Sequence, residues 1–171
     1  PFRQLGVPLM SGIGKRLTWP DDYFILRQNL SYQNYDLRNF SSGSVVFDFV
    51  NGNSNVLAYQ FQVSRNSVDQ PFFARTGSDI TFSVKATPPF SLWMGNGRDY
   101  ASLPAEQRYQ WAEFHKWKFT TQWFNKLTNS KSGHNLVLMA RAGFGFLGRY
   151  NDAVGNSPFE RFYLGGAALT G

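Results

Sequence analysis

The chain has 171 residues, enough for one domain, with a formal net charge of +6 and an aromatic share of 18%. It contains no cysteine, which excludes a disulfide framework and thiolate metal sites. Lysine and arginine are scattered singly instead of forming a basic run, which disfavours a nucleic-acid partner. No apolar run approaches the ~20 residues of a membrane-spanning helix, but membrane barrels cross with alternating strands of about 9–11 residues.

Six segments alternate apolar and polar residues, as strands with two different faces do. In chain order they cover 9–17, 23–36, 56–66, 80–87, 110–124 and 135–147. Compact turns at 18–22, 67–78 and 125–133 alternate with longer loops at 38–55 and 88–109, the first loop holding a short strand at 45–49. Short turns at one end and long loops at the other are typical of an outer-membrane barrel.

These patterns predict an all-β fold, a transmembrane antiparallel up-and-down β-barrel. The strands are longer than the usual 5–6 residues of globular proteins. Aromatic residues fall near predicted strand ends, as a membrane girdle requires: Trp19, Tyr23, Trp111 and Trp123. A soluble sandwich also alternates apolar and polar residues and remains the alternative at this point.

Sequence motifs for catalysis, nucleotides or metals are not found, which predicts a protein without enzymatic activity or cofactor. Residues 143–148 match G-x-G-x-x-G, but the glycines alternate with phenylalanine inside a strand and no helix follows. We interpret them as a row of glycines that lets something pack closely against the wall. His115 and His134 lack metal-ligand spacing, and no G-x-S-x-G elbow occurs.

Several segments together resemble the BamA family of outer-membrane β-barrel assembly factors. They occur in family order at 14–24, 64–71, 75–78, 115–119, 144–148 and 158–166. The last, Pro-Phe-Glu-Arg-Phe-Tyr-Leu-Gly-Gly, is the most specific. In the family a Val-Arg-Gly-Phe motif follows shortly after the two glycines. This chain departs from that pattern, since Thr170 stands where the arginine is expected.

The resemblance implies that residues 1–171 are part of one sixteen-stranded barrel: an internal piece with strands six to eleven and the start of the sixth extracellular loop, without the periplasmic POTRA repeats. The turns near Pro20 and Pro71 would then be periplasmic. The sixth loop would fold back into the lumen, its base formed by Pro158, Phe159, Arg161, Phe162, Tyr163, Gly165 and Gly166. Candidate lumen-facing cations are Arg27, Lys85, Lys116, Lys118 and Arg141. Candidate lipid-facing residues are Phe24, Leu26, Leu30, Tyr32, Leu57, Phe61, Phe82, Val84, Phe119, Leu138 and Phe144.

The function that the resemblance implies is the folding and insertion of β-barrel proteins into the outer membrane of a Gram-negative bacterium, without nucleotide hydrolysis. The implied partners are unfolded outer-membrane proteins, outer-membrane lipid and the BAM-complex lipoproteins, which bind mainly through the periplasmic repeats. Two alternatives stay open. One is another member of the same superfamily, a TamA-like factor or a two-partner secretion pore. The other is a passive porin or nutrient channel, a class that lacks the Phe-Tyr-Leu-Gly-Gly insert.

Overall fold

The computed structural model describes residues 2–4, 8–37, 52–94, 99–128, 136–157 and 160–162. These residues form one antiparallel sheet of seven strands: β1 (Phe2–Gln4), β2 (Leu9–Arg16), β3 (Phe24–Leu37), β4 (Gly52–Asn66), β5 (Gly77–Ala86), β6 (His115–Lys126) and β7 (Val137–Gly148). Strands β3 to β7 are neighbours in chain order, and β1 and β2 lie in line along the other edge of β3. The fold is therefore an all-β up-and-down meander, a panel of a barrel wall.

The register gives the sheet two faces of opposite character. Partner residues in register share a face, so one row of residues can be followed across five strands. The apolar face is defined by the row Leu26, Val63, Phe82, Phe119 and Phe144. The next row defines the polar face, with Arg27, Gln62, Ser83, Lys118 and Gly145. All eleven predicted lipid-facing residues lie on the apolar face.

Large side chains of the apolar face stay exposed instead of packing into a core. Leu138 and Phe144 are 53% and 62% exposed, and Leu30 is 50% exposed. No second sheet forms among the described residues to cover this face. A sandwich would bury these side chains between two sheets, so the exposed apolar face matches a barrel wall better than the soluble alternative.

The start of strand β4 differs from the sequence-based prediction. Strand β4 begins at Gly52 and not at 56, because Asn53–Asn55 continues the ladder with β3 despite its low strand propensity. The Asn34 side chain holds these residues, donating to Asn53 Oδ1 at 2.8 Å and to Asn55 Oδ1 at 2.7 Å. The short strand β1 was not predicted, and the predicted strand at 45–49 lies outside the described residues.

The predicted strand at 110–124 was wrong at its beginning, since β6 starts at His115. Residues 110–114 instead lie outside the antiparallel ladder of β6: Trp111 forms an isolated parallel bridge with Asn55 of β4, the N–H of Ala112 donates to Asn55 O at 2.9 Å, and Phe114 O accepts from the N–H of Thr87 at 3.0 Å. The Trp111 ring packs on Phe90 with centroids 4.5 Å apart, and the prediction that Trp111 belongs to a membrane girdle stays a prediction.

The loop predicted at 88–109 contains two short helices, α1 (Phe90–Met94) and α2 (Ala105–Arg108). Neither described helix is long and apolar enough to cross a membrane. Residues 87–94 and 99–114 together form the loop cover, which lies at the end of the sheet opposite the compact turns.

The buried apolar core is small and lies under the loop cover. It consists of Val56, Ala58, Ala112 and Phe114, with Tyr35 and Leu147 packed against it. The two β4 residues alternate with the apolar-face residues Leu57 and Tyr59, so the core lies on the polar side of the sheet. Among the described residues this cluster lies at one end of the polar face, and this end carries the site described next.

Candidate functional site

Two lysines on the polar face lie directly opposite each other on neighbouring strands. Lys85 of β5 and Lys116 of β6 are partners in the ladder, which places their side chains on the same face only about 5 Å apart at Cβ. Both are partly buried, with 27% and 21% of their side chains exposed. Like charges in this arrangement repel each other, so the pair requires a counter-charge.

Glu160 provides that counter-charge from a segment that follows the last strand. Lys116 Nζ donates to Glu160 Oε2 at 3.0 Å, and Lys85 Nζ donates to Oε1. Burial opposes ionisation of Glu160, whose side chain is only 18% exposed, but hydrogen bonds and charge from the two lysines outweigh it and hold the pKa of the carboxyl below its ordinary value. At neutral pH a carboxylate therefore bridges two ammonium groups.

Phe162 packs on the sheet beside this ion pair. Its ring lies so close to Gly145 of β7 that a Cβ at Gly145 would be 2.8 Å from two ring carbons. Lys116 Nζ lies 4.6 Å from the ring centroid and also donates to Arg161 O at 3.2 Å. Gly145, from the glycine row identified in the sequence, is thus the seat for an aromatic ring. We call Lys85, Lys116, Gly145, Glu160 and Phe162 the loop anchor.

The loop anchor borders the buried core. The Lys85 ammonium lies 5.6 Å from the centroid of the Phe114 ring, and Phe114 is fully buried. Apolar neighbours reduce the screening of nearby charges, which strengthens the attraction between Glu160 and its lysines. The buried core under the loop cover therefore strengthens the ion pair.

A second polar network joins two compact turns at the opposite end of the strands. Arg65 Nε pairs with Asp21 Oδ2 at 2.9 Å, which connects the end of β4 to the turn between β2 and β3. Arg65 Nη1 donates to the hydroxyls of Ser67 and Ser78, each at 2.9 Å, across the next turn. Arg65, Ser67 and Ser78 all belong to segments that carry the family resemblance, which gives these segments a structural role.

The turn between β4 and β5 is also closed by hydrogen bonds from its backbone to the side chain of Asp69. Asp69 accepts from the N–H groups of Arg75 at 3.0 Å and Thr76 at 3.3 Å, and the Arg75 bond above all holds the pKa of the Asp69 carboxyl below its ordinary value. Gly77 begins β5 with φ +110°, and a Cβ there would overlap the carbonyl oxygen of Ser67. Only glycine fits this position.

The Omp85 superfamily domain matches residues 5–170, nearly the whole chain. The chain belongs to the Omp85 superfamily. Omp85 proteins are β-barrels of the outer membrane, and the superfamily serves outer-membrane protein biogenesis and transport. A search of curated proteins found no match.

The described part of the Omp85 domain includes only some of the predicted loop-base residues. Arg161 and Phe162 are described, and both touch the side chain of Lys116 through the carbonyl and the ring given above. The other predicted loop-base residues lie outside the described residues: Pro158, Phe159, Tyr163, Gly165 and Gly166. Thr170 also lies outside them.

All five candidate cations of the Omp85 domain are on the polar face, but they do not form one cluster. Lys85 and Lys116 meet at Glu160. The other three lie elsewhere in the register, Arg27 opposite Gln62, Lys118 opposite Ser83, and Arg141 opposite Gln122. Sequence reasoning did not single out Glu160. It is the only acidic residue after Asp152, and five cations were predicted for the wall that its loop would face, so charge complementarity was the available signal.

Proposed function

We propose that this chain is part of the barrel wall of a BamA-like assembly factor, which folds and inserts β-barrel proteins into the outer membrane of a Gram-negative bacterium. The work would be done without nucleotide hydrolysis or other catalysis. Its substrates would be unfolded outer-membrane proteins, and accessory lipoproteins would bind through periplasmic repeats.

The physical basis of the proposal is the exposure of strand edges. A closed barrel pairs every backbone N–H and C=O, whereas a barrel that opens at a seam offers an edge on which an incoming strand can pair. In the BamA-like arrangement that the resemblance implies, the seam joins strands outside residues 1–171. This chain would then supply the rigid wall opposite the seam and the base of the internal loop.

The observation that carries the proposal is the loop anchor. Residues 160–162, which follow the last strand, return to the polar face and are held there by two lysines and a glycine seat. A passive channel needs an open lumen. A loop that is fixed to the inner wall occupies part of the lumen and can hold the barrel in one shape. The Omp85 match supports the same class of function.

The test is a strain in which the natural protein can be depleted and replaced by a variant lacking residues 158–166. We expect the folded fraction of other outer-membrane barrels to fall, while uptake of small solutes changes only later. The control variant is Lys118→Gln, a cation on the same face outside the loop anchor. Normal barrel assembly together with an immediate change in solute uptake would contradict the proposal and favour a porin. Loss of a single secreted substrate would favour a two-partner secretion pore.

A further inference from the structure

A cavity in the loop cover has no role in the proposed function. It has a volume of 210 Å³, and its lining includes Phe90, Tyr100, Gln107, Arg108, Trp111 and Glu113. It lies at the loop end of the sheet, and neither Glu160 nor Phe162 lines it. We propose that this cavity binds one pyranose sugar residue.

The first reason is the aromatic wall. Phe90 and Trp111 pack against each other with centroids 4.5 Å apart and an interplanar angle of 38°, and Tyr100 adds a third ring to the lining. Aromatic faces offer flat apolar surface, and Tyr and Trp also carry one polar atom each. A pyranose has an apolar C–H face of matching size, whereas its edge is lined with hydroxyl groups.

The second reason is the mixture of polar groups. Gln107 and Gln110 contribute carboxamides, which both donate and accept hydrogen bonds. Glu113 is 4% exposed and is held by Ser91, whose hydroxyl donates to Oε2 at 2.7 Å and whose N–H donates to Oε1. Arg108 and Glu113 bring opposite charges to the same lining, which disfavours an anion or a cation as ligand. Hydroxyl groups, which donate and accept, match such a lining.

The third reason is a hydrogen-bond donor that is already held in place. Arg108 lines the cavity and donates through Nη2 to Leu103 O at 2.9 Å, so the position of its guanidinium is fixed. A donor whose position is fixed loses little conformational freedom when a hydroxyl oxygen accepts from it.

Saturation-transfer NMR on the natural protein folded in lauryldimethylamine oxide tests the proposal, since maltoside detergents would compete with a sugar. The probes are the methyl glycosides of glucose and galactose, N-acetylglucosamine, and delipidated core oligosaccharide of lipopolysaccharide. Transfer to a free glycoside would support a site for free sugars. Transfer to the core oligosaccharide alone would support a site for lipopolysaccharide, an arm that rests on the proposed outward orientation of the loops. No transfer to any probe would overturn the proposal.

Two variants tie the signal to the cavity. Trp111→Ala should weaken binding about tenfold or more, because it removes an aromatic anchor. Gln107→Ala, at an exposed position on the rim, should weaken it without disturbing the fold. The matched control is Trp93→Ala, an aromatic residue of the same cover that is 69% exposed and does not line the cavity. Equal signals from the wild-type protein and both cavity variants would overturn the proposal.

Discussion

At the scale of single residues, the loop anchor contains two lysines that repel each other and one acid that neutralises them. The sheet register places Lys85 and Lys116 opposite each other, and neither can move away because both belong to long strands. Glu160 resolves this repulsion by pairing with both. Glu160 therefore contributes more to stability than the acid of an ordinary surface ion pair, since its loss leaves two partly buried like charges facing each other.

Replacing Glu160 by Gln should lower the free energy of unfolding by about 2 kcal/mol at pH 7. Because the folded-state pKa of Glu160 is lowered, its contribution is fully present above the ordinary glutamate pKa of about 4.3 and is lost as pH falls through the folded value. Urea unfolding in detergent, measured from pH 7 to pH 3, should show a constant gap between wild type and variant down to about pH 5, which then closes. A gap that does not change with pH would contradict this account.

Gly145 and Gly143 provide a matched pair on one strand. A Cβ at Gly145 would be 2.8 Å from the Phe162 ring, whereas at Gly143 the nearest atoms are at 3.8 and 3.9 Å. Gly145→Ala should therefore displace Phe162 and expose residues 160–162 to protease, while Gly143→Ala should leave the cleavage rate unchanged. Equal cleavage of the two variants would show that the glycine seat does not hold the loop.

At the scale of elements, the alternation of apolar and polar residues made most strands of the sheet predictable from the sequence. Apolar and polar residues alternate with a period of two along β3 to β7, so the two faces of each strand can be told apart from the sequence. The observed register pairs apolar faces with apolar faces and polar faces with polar faces. The loop cover was not predictable in this way, because residues 110–114 continue the strand-like composition yet leave the ladder. Glu160 was missed for a related reason: its contacts cross 44 and 75 residues, and no local pattern reports them.

The turn between β4 and β5 depends on Gly77 in the same local sense. Gly77→Ala should cost about 1–3 kcal/mol in the free energy of unfolding, since the residue has φ +110° and its Cβ would overlap Ser67. Gly14→Ala in β2 is the control, because its nearest atoms lie at 3.7 and 3.8 Å, and it should change stability by less than about 0.5 kcal/mol. The same urea unfolding series measures both. A tolerated Gly77→Ala would mean that the turn does not need this backbone conformation.

At the scale of the whole molecule, the distribution of apolar surface is inverted relative to a soluble domain. The large apolar side chains are on the exposed face, whereas only a small core lies on the polar side under the loop cover. This arrangement is stable where lipid covers the exposed face. Membership of the Omp85 superfamily provides that setting.

A charge on one face should therefore cost far more than the same charge on the other. Phe119 lies near the middle of β6. The substitution Phe119→Arg should make the free energy of folding into liposomes about 2–4 kcal/mol less favourable. Thr120→Arg, the adjacent residue on the polar face opposite Gly143, should fold nearly as well as the wild type. Comparable folding yields for the two arginine variants would contradict the assignment of the faces.

The most direct measurement is the collision accessibility of spin labels attached to single cysteines, in a chain that has no cysteine of its own. Labels at Val63, Phe82 and Phe119 are compared with labels at Gln62, Ser83 and Lys118 in the natural protein reconstituted in liposomes. We predict high oxygen and low nickel-chelate accessibility for the first three, and the reverse for the second three. If the first three labels were shielded from both reagents, or all six responded alike, the apolar face would not lie in lipid.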